Sequence, residues 1–233
     1  MAQNSPLWTS PLYATDEHVA IRATADFPVL CPAWQTLASG SDGVISHTTP
    51  WVLSSASNTF DTQGVAAQHV IHLTGPRTAF PGGGILLAVD SALDGSVTLR
   101  RIAYPLNAGM PPTRVDLSGV SFTINTLTPQ IESATMDLKK RFMIDEYANT
   151  YRMSAWIYQG AEDAYRELRD ACVLSVLVDR YTAEVRTERG DFALKLTRVR
   201  QQLDDVLARV QVRWGPFGNS AQPATLFGTK LSR

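Results

Sequence analysis

Residues 85–102 read ILLAVDSALDGSVTLRRI. Two apolar runs, Ile85–Val89 and Val97–Ile102, flank the connection Asp90–Ser96, which contains Asp94-Gly95. Asp-Gly between two such runs is a favoured hairpin dipeptide, so the stretch predicts a pair of antiparallel strands. Upstream, Val70-Ile71-His72-Leu73 predicts a strand that stops at Gly75-Pro76, a turn signal. Trp51-Val52-Leu53 predicts another. Four short strands between residues 50 and 103 imply a small antiparallel barrel or half-sandwich. Downstream, beyond a Pro- and Gly-bearing loop, Val120, Phe122 and Ile124 alternate with polar residues, which is the period of a half-buried strand.

From Thr128 the period becomes helical. Thr128-Pro129 suits an N-cap followed by the first helical position, and Ile131, Ala134, Leu138 and Phe142 share one face. A second helix is predicted from about Ala161 to Glu188, apolar on nearly all sides at its middle and therefore central. After Gly190-Asp191, the residues Phe192, Leu196, Val199, Leu203, Val206 and Val210 step by four and three, a heptad-type seam. Its length fits packing within the chain better than a free coiled coil. Lys195, Arg198, Arg200, Asp204, Asp205 and Arg209 are expected to form its solvated face.

The first 48 residues are a mixed lead-in. Thr15 is a cap for a short helix with Asp16 and Glu17 in its first turn, where carboxylates complement the dipole. A second short helix is expected over Pro32–Ser39, stopped at Gly40, with Trp34 and Leu37 on one face. The predicted fold class is thus α+β: a β-rich N-terminal half with a small antiparallel barrel or sandwich, then a C-terminal helical bundle with an extended tail. The divisions are 1–48 (lead-in), 49–127 (β-domain), 128–213 (helices) and 214–233 (tail).

Composition narrows the functional classes. Charged residues are 18% of the chain against a usual value of about 25%, so Ser, Thr, Asn, Gln and Gly cover much of the surface. Few charges keep neighbouring copies apart, which suits a protein that packs against others. The net charge is −1 with no dense basic tract, so specific nucleic-acid binding is not expected. Met1–Ser10 lacks the basic and apolar regions of a secretory signal, and no window approaches a membrane span. The chain is expected to be made in the cytoplasm and to stay soluble.

Reacting groups are sparse in pattern. Gly82-Gly83-Gly84 precedes a strand and lacks the Lys-Ser/Thr pair of a phosphate loop, and no G-x-S-x-G elbow occurs. His69 and His72 have odd spacing on a strand and point to opposite faces, which disfavours a shared metal. Cys31 and Cys172 read as two reduced, semi-buried thiols. Asp163, Glu167 and Asp170 lie among Arg166 and Arg169 and read as helix salt bridging. No catalytic, cofactor or metal residue is assigned. The alternatives are a glycan- or peptide-binding β-module with a pocket lined by Trp51 and Trp34, and an enzyme with a carboxylate pair assembled in space.

Positive features are of the interaction kind. Trp214–Gly218 cannot continue a helix, yet Leu226, Phe227 and Leu231 are too apolar for a plain solvated end. Such a tail either folds back or docks on a neighbour, by strand addition for example. Trp214, Phe217, Leu226, Phe227, Lys230 and Leu231 are therefore the candidate interaction residues.

The stretch from Asn58 through Phe60, Gly64-Val65 and Val70–Leu73, then Gly84–Val89 and Ser96–Leu99, resembles a small β-domain common in structural proteins of tailed bacteriophages. Residues Pro129–Val210 resemble the helical head–tail connector (adaptor) proteins that form a ring beneath the phage portal. The long β-rich front half departs from the smallest adaptors. The resemblance implies a homo-oligomeric ring, a dodecamer in the adaptor pattern, at the head–tail junction of the virion. It implies that the portal protein receives the tail (Ala221–Arg233), and that a downstream tail or neck protein meets the β-domain. DNA would pass through the channel without specific binding. Another tail-completion, baseplate or neck protein is the nearest rival.

Overall fold

The computed structural model describes residues 12–46, 50–75, 84–102, 116–142, 162–186 and 191–210. Six strands form a closed antiparallel barrel: β1 Thr36–Ile45, β2 Trp51–Ser54, β3 Val70–Thr74, β4 Ile85–Leu93, β5 Ser96–Arg101 and β6 Leu117–Asn125. The order around it is β1-β2-β5-β4-β3-β6, with β6 pairing back onto β1. Among the described residues five helices accompany it: α1 Asp16–Arg22, α2 Phe27–Leu30, α3 Thr128–Arg141, α4 Glu162–Arg186 and α5 Phe192–Arg209. The fold is α+β.

The central hairpin is the one its sequence predicts. Leu93↔Ser96 closes the β4–β5 ladder around Asp94-Gly95, with Gly95 at φ +69°, a backbone region glycine enters without steric cost. The register shifts between Val89 and Ser91, leaving Asp90 free to approach Arg100, whose Nε lies 3.6 Å from its carboxylate.

Strand β1 is the departure. The helix expected over Pro32–Ser39 is only a 3-10 turn, Ala33–Gln35, and the chain then runs extended from Thr36. The β-structure therefore begins inside the span read as a lead-in. Tertiary pairing outweighs local propensity here, because β1 pairs with β6 from Thr36↔Asn125 to Ile45↔Leu117. Register shifts around Gly40 and Gly43 bend it around the barrel. A Cβ on Gly43 would stand 2.7 Å from the Val120 carbonyl oxygen, so this close approach needs glycine.

Two cores share one strand pair. Ile71, Leu73, Leu87 and Val89 point into the barrel with Ile45, Leu53, Phe122 and Ile124. Val70, Leu86 and Ala88 alternate outward and pack beneath the helices with Val19, Ala20, Leu127 and Ile131. The unbroken apolar run of β4 is thus buried on both faces. Helix α4 is enclosed at Ala171–Leu174, and it packs against α3, α5, α1 and α2. The seam residues Phe192, Leu196, Val199 and Val206 of α5 are buried as spaced. No helix among the described residues is long and apolar enough to cross a membrane.

Helix α1 is tied to the barrel by charge. Arg100 on β5 donates through Nη1 to Glu17 Oε1 at 2.6 Å and through Nη2 to Oε2. Fork-to-fork pairs of this kind are the strong ones, and removing Glu17 takes both of these hydrogen bonds from the Arg100 guanidinium at once. Glu17→Ala is expected to lower the unfolding free energy by about 2 kcal/mol in urea denaturation. Glu17→Gln should recover part of the loss. A Glu17→Ala protein as stable as the parent would show that the pair contributes nothing.

Candidate functional site: a basic cleft between helices

The sequence-derived interaction residues Trp214, Phe217, Leu226, Phe227, Lys230 and Leu231 lie outside the described residues. Trp51 and Trp34 do not share a pocket. Trp51 faces the barrel interior at 7% exposure, with the Arg101 guanidinium carbon 5.6 Å from its ring centroid. Trp34 stands on the 3-10 turn, 75% exposed. The barrel interior is filled by its own side chains, with Phe60 entering from the β2–β3 connection to meet Phe122 at 5.7 Å between centroids.

The barrel's outer face away from the helices is rich in hydroxyls. Ser39, Ser41, Ser54, Ser91 and Ser118 are solvated or partly so, beside Thr98 and Thr123. Val44 and Leu93 are exposed apolar residues in one lateral row with Ser54 and Ser96 between them. Asp42 is the charge nearest this row on β1, and it is engaged locally. Ser55 Oγ, Ala56 N, Ser57 N and Ser57 Oγ all donate to its carboxylate, at 2.9–3.1 Å. These bonds, the Ser55 hydroxyl first, hold its carboxyl below the usual range.

A cleft of about 510 Å³ opens where the end of α1 meets the groove between α4 and α5. Its floor is apolar: Leu177 and Tyr181 from α4 and Val199 from α5, all buried, with Ile21 beside them. Its rim is basic: Arg22 from α1, and Lys195 and Arg198 from α5. Arg22 Nη2 donates to Gln202 Oε1 at 3.1 Å, spanning from α1 to α5. Lys195 Nζ donates to Asp26 Oδ1 at 2.7 Å, and the Tyr181 hydroxyl donates to Asp26 Oδ2 at 2.8 Å. Burial, then the Asp26 carboxylate, pushes the Tyr181 hydroxyl pKa far up, so it stays a donor.

No family model matches the chain, and neither a curated protein nor a solved structure matches it.

Both thiols are held protonated at neutral pH by burial, Cys31 pushed up to about 12 and Cys172 to about 11. Thiols so placed are poor nucleophiles. His18, His69 and His72 are shifted down, chiefly by burial. Among the described residues no three His, Cys, Asp or Glu side chains are grouped to hold a metal ion. Of the expected helix ion pairs, Arg169 Nε lies 3.6 Å from its neighbour Asp170.

The cleft was not visible in the sequence. Lys195 and Arg198 read there as a solvated face, whereas Lys195 is bound to Asp26, 169 positions away. The one local signal is that Lys195, Arg198 and Gln202 border the apolar seam at helical spacing, a stripe that lies beside whatever packs on the seam.

Proposed function

We propose that this chain is a structural virion subunit of a tailed bacteriophage, a head–tail connector (adaptor) that works by the surfaces it presents, with no reacting group of its own. Copies form a ring, twelve-fold in the adaptor pattern, seated on the portal at the head–tail junction. The ring extends the DNA channel without gripping DNA and offers a docking surface to the next tail or neck protein. The helices following Thr128 act as a bundle, and the tail from Trp214 onward is its arm, with Phe217, Leu226, Phe227, Lys230 and Leu231 as contacts.

The observation that carries this reading is the outer face of the barrel. It presents hydroxyls with Val44 and Leu93 and few charges, so like-charge repulsion between adjacent copies is weak. The helix order supports it as well: 14, 25 and 18 residues follow the leading, central and third helices of the adaptor pattern. Contacts that are weak singly become strong when repeated around a ring.

Deleting Ala221–Arg233 tests the proposal. The truncated protein is expected to keep its circular dichroism spectrum and solubility yet fail to form rings with portal in negative-stain images. Loss of folding on truncation would instead mean a tail folded back on its own helices. A full-length protein that captures only tail-tube protein, never portal, would favour another tail-completion or baseplate component.

A further inference from the structure

The cleft between α1, α4 and α5 combines an apolar floor with a cationic rim that is only partly neutralised. Among the described residues Asp26 is the single carboxylate tied into it, and both its oxygens are taken, by Lys195 and by the Tyr181 hydroxyl. Arg22 is held by a neutral amide, Gln202. Among the described residues no carboxylate pairs with Arg22 or Arg198. Three cations against one carboxylate leave an excess of two positive charges around one recess. Arg22 and Arg198 stand exposed at the rim, where an anionic ligand would meet two guanidinium groups that no carboxylate among the described residues answers. The clustering does not reflect a basic background, because the whole chain carries −1.

We propose that this cleft is a docking site for an acidic peptide segment of a partner protein, one large apolar side chain flanked by carboxylates. The apolar anchor would pack against Ile21, the partly exposed apolar residue of the lining, and the flanking carboxylates would meet Arg198 and Arg22, the former bidentately. The floor argues against a nucleic-acid strand. A phosphate backbone would use the rim and leave the partly exposed Ile21 uncovered. Tyr181 is 4% exposed, so it offers no face on which a base could stack. The volume lies within the roughly 300–1,000 Å³ usual for ligand pockets. The proposal does not depend on the connector reading, since it follows from the cleft's charges and floor whatever the chain assembles into.

Fluorescence anisotropy with the full-length chain tests it. The probes are labelled short peptides carrying leucine, phenylalanine or methionine between pairs of glutamates, a matched peptide with serine at the centre, and a single-stranded oligonucleotide of equal charge. At least one apolar-centred peptide is expected to bind, more weakly as salt rises. The serine peptide and the Arg198→Glu variant should each lose about tenfold or more in affinity. Arg198 is exposed and unpaired among the described residues, so the variant should fold, and circular dichroism checks this. Absence of binding by every peptide at millimolar concentration, undiminished binding to Arg198→Glu, or tighter binding of the oligonucleotide would each overturn the proposal.

Discussion

Replacing Phe60 with alanine is expected to lower the unfolding free energy by about 3–5 kcal/mol, the usual range for emptying a buried phenylalanine site. Phe60 lies outside the strands, yet it is fully buried within the barrel core, 5.7 Å from Phe122 between ring centroids. The connection around it is built to aim it inward. Val65 N donates to Phe60 O at 3.0 Å, Gln63 N donates to Thr59 O at 3.0 Å, and Gly64 takes φ +80° to complete the turn. Gly40 leaves the space that Phe122 needs, since a Cβ there would stand 2.9 Å from the Phe122 ring. A closed barrel cannot easily shrink around a missing plug, because every strand is paired on both sides around the ring. Phe60→Leu keeps much of the volume and should cost less than about 1.5 kcal/mol. Urea denaturation of both variants measures this. A Phe60→Ala loss below about 1 kcal/mol would mean that water already reaches that end of the barrel.

Phe60 also marks how far the sequence can be read. It stands in the stretch whose pattern resembles a phage β-domain, but nothing local says that its ring enters the barrel. Strands β2 to β6 are legible because each carries its own signal. β4 is a continuous apolar run, β6 alternates, and Asp94-Gly95 punctuates the hairpin. β1 has none of these. Its sequence, TLASGSDGVI, holds two glycines, two serines and an aspartate, and it becomes a strand because β6 pairs along its length. Helices α3, α4 and α5 are legible from apolar periodicity, and the first residues of α3 and α5 lie within one of expectation. Thr128, expected to cap α3, begins the helix instead, with Thr126 Oγ1 accepting its N–H at 3.0 Å. The cleft was hidden for a different reason. Arg22 and Asp26 belong to the N-terminal segment and Lys195 and Arg198 to α5, and no local pattern joins residues so far apart.

Asp16 gives a second large effect, one that depends on pH. It stands in the first turn of α1, as expected from the sequence, and is 2% exposed at the junction of α1 with the β6–α3 connection. Oδ1 accepts the Leu127 N–H at 2.7 Å, while Oδ2 is buried without a hydrogen-bond partner. Burial raises its pKa from 3.8 to about 6, against the opposing pull of the Leu127 N–H and the Thr126 hydroxyl. Between those two values the folded chain holds a proton that the unfolded chain has released. Stability from this group is therefore complete below about pH 4 and lost as the pH rises through about 6, a difference of about 3 kcal/mol. Asp16→Asn keeps an acceptor for Leu127 and carries no charge. Its stability relative to the parent should be near zero at about pH 4 and rise to about 3 kcal/mol in its favour at about pH 7.5. The difference between the two proteins is the quantity to measure. His18, His69 and His72, whose pKa values are lowered by burial, and Asp42, whose pKa is lowered by hydrogen bonds, make both proteins less stable as pH falls. Those contributions cancel in the difference, while the term from Asp16 does not. An Asp16→Asn protein less stable than the parent at neutral pH would mean that the ionised carboxylate is what the Leu127 N–H requires, and that its buried oxygen finds compensation elsewhere.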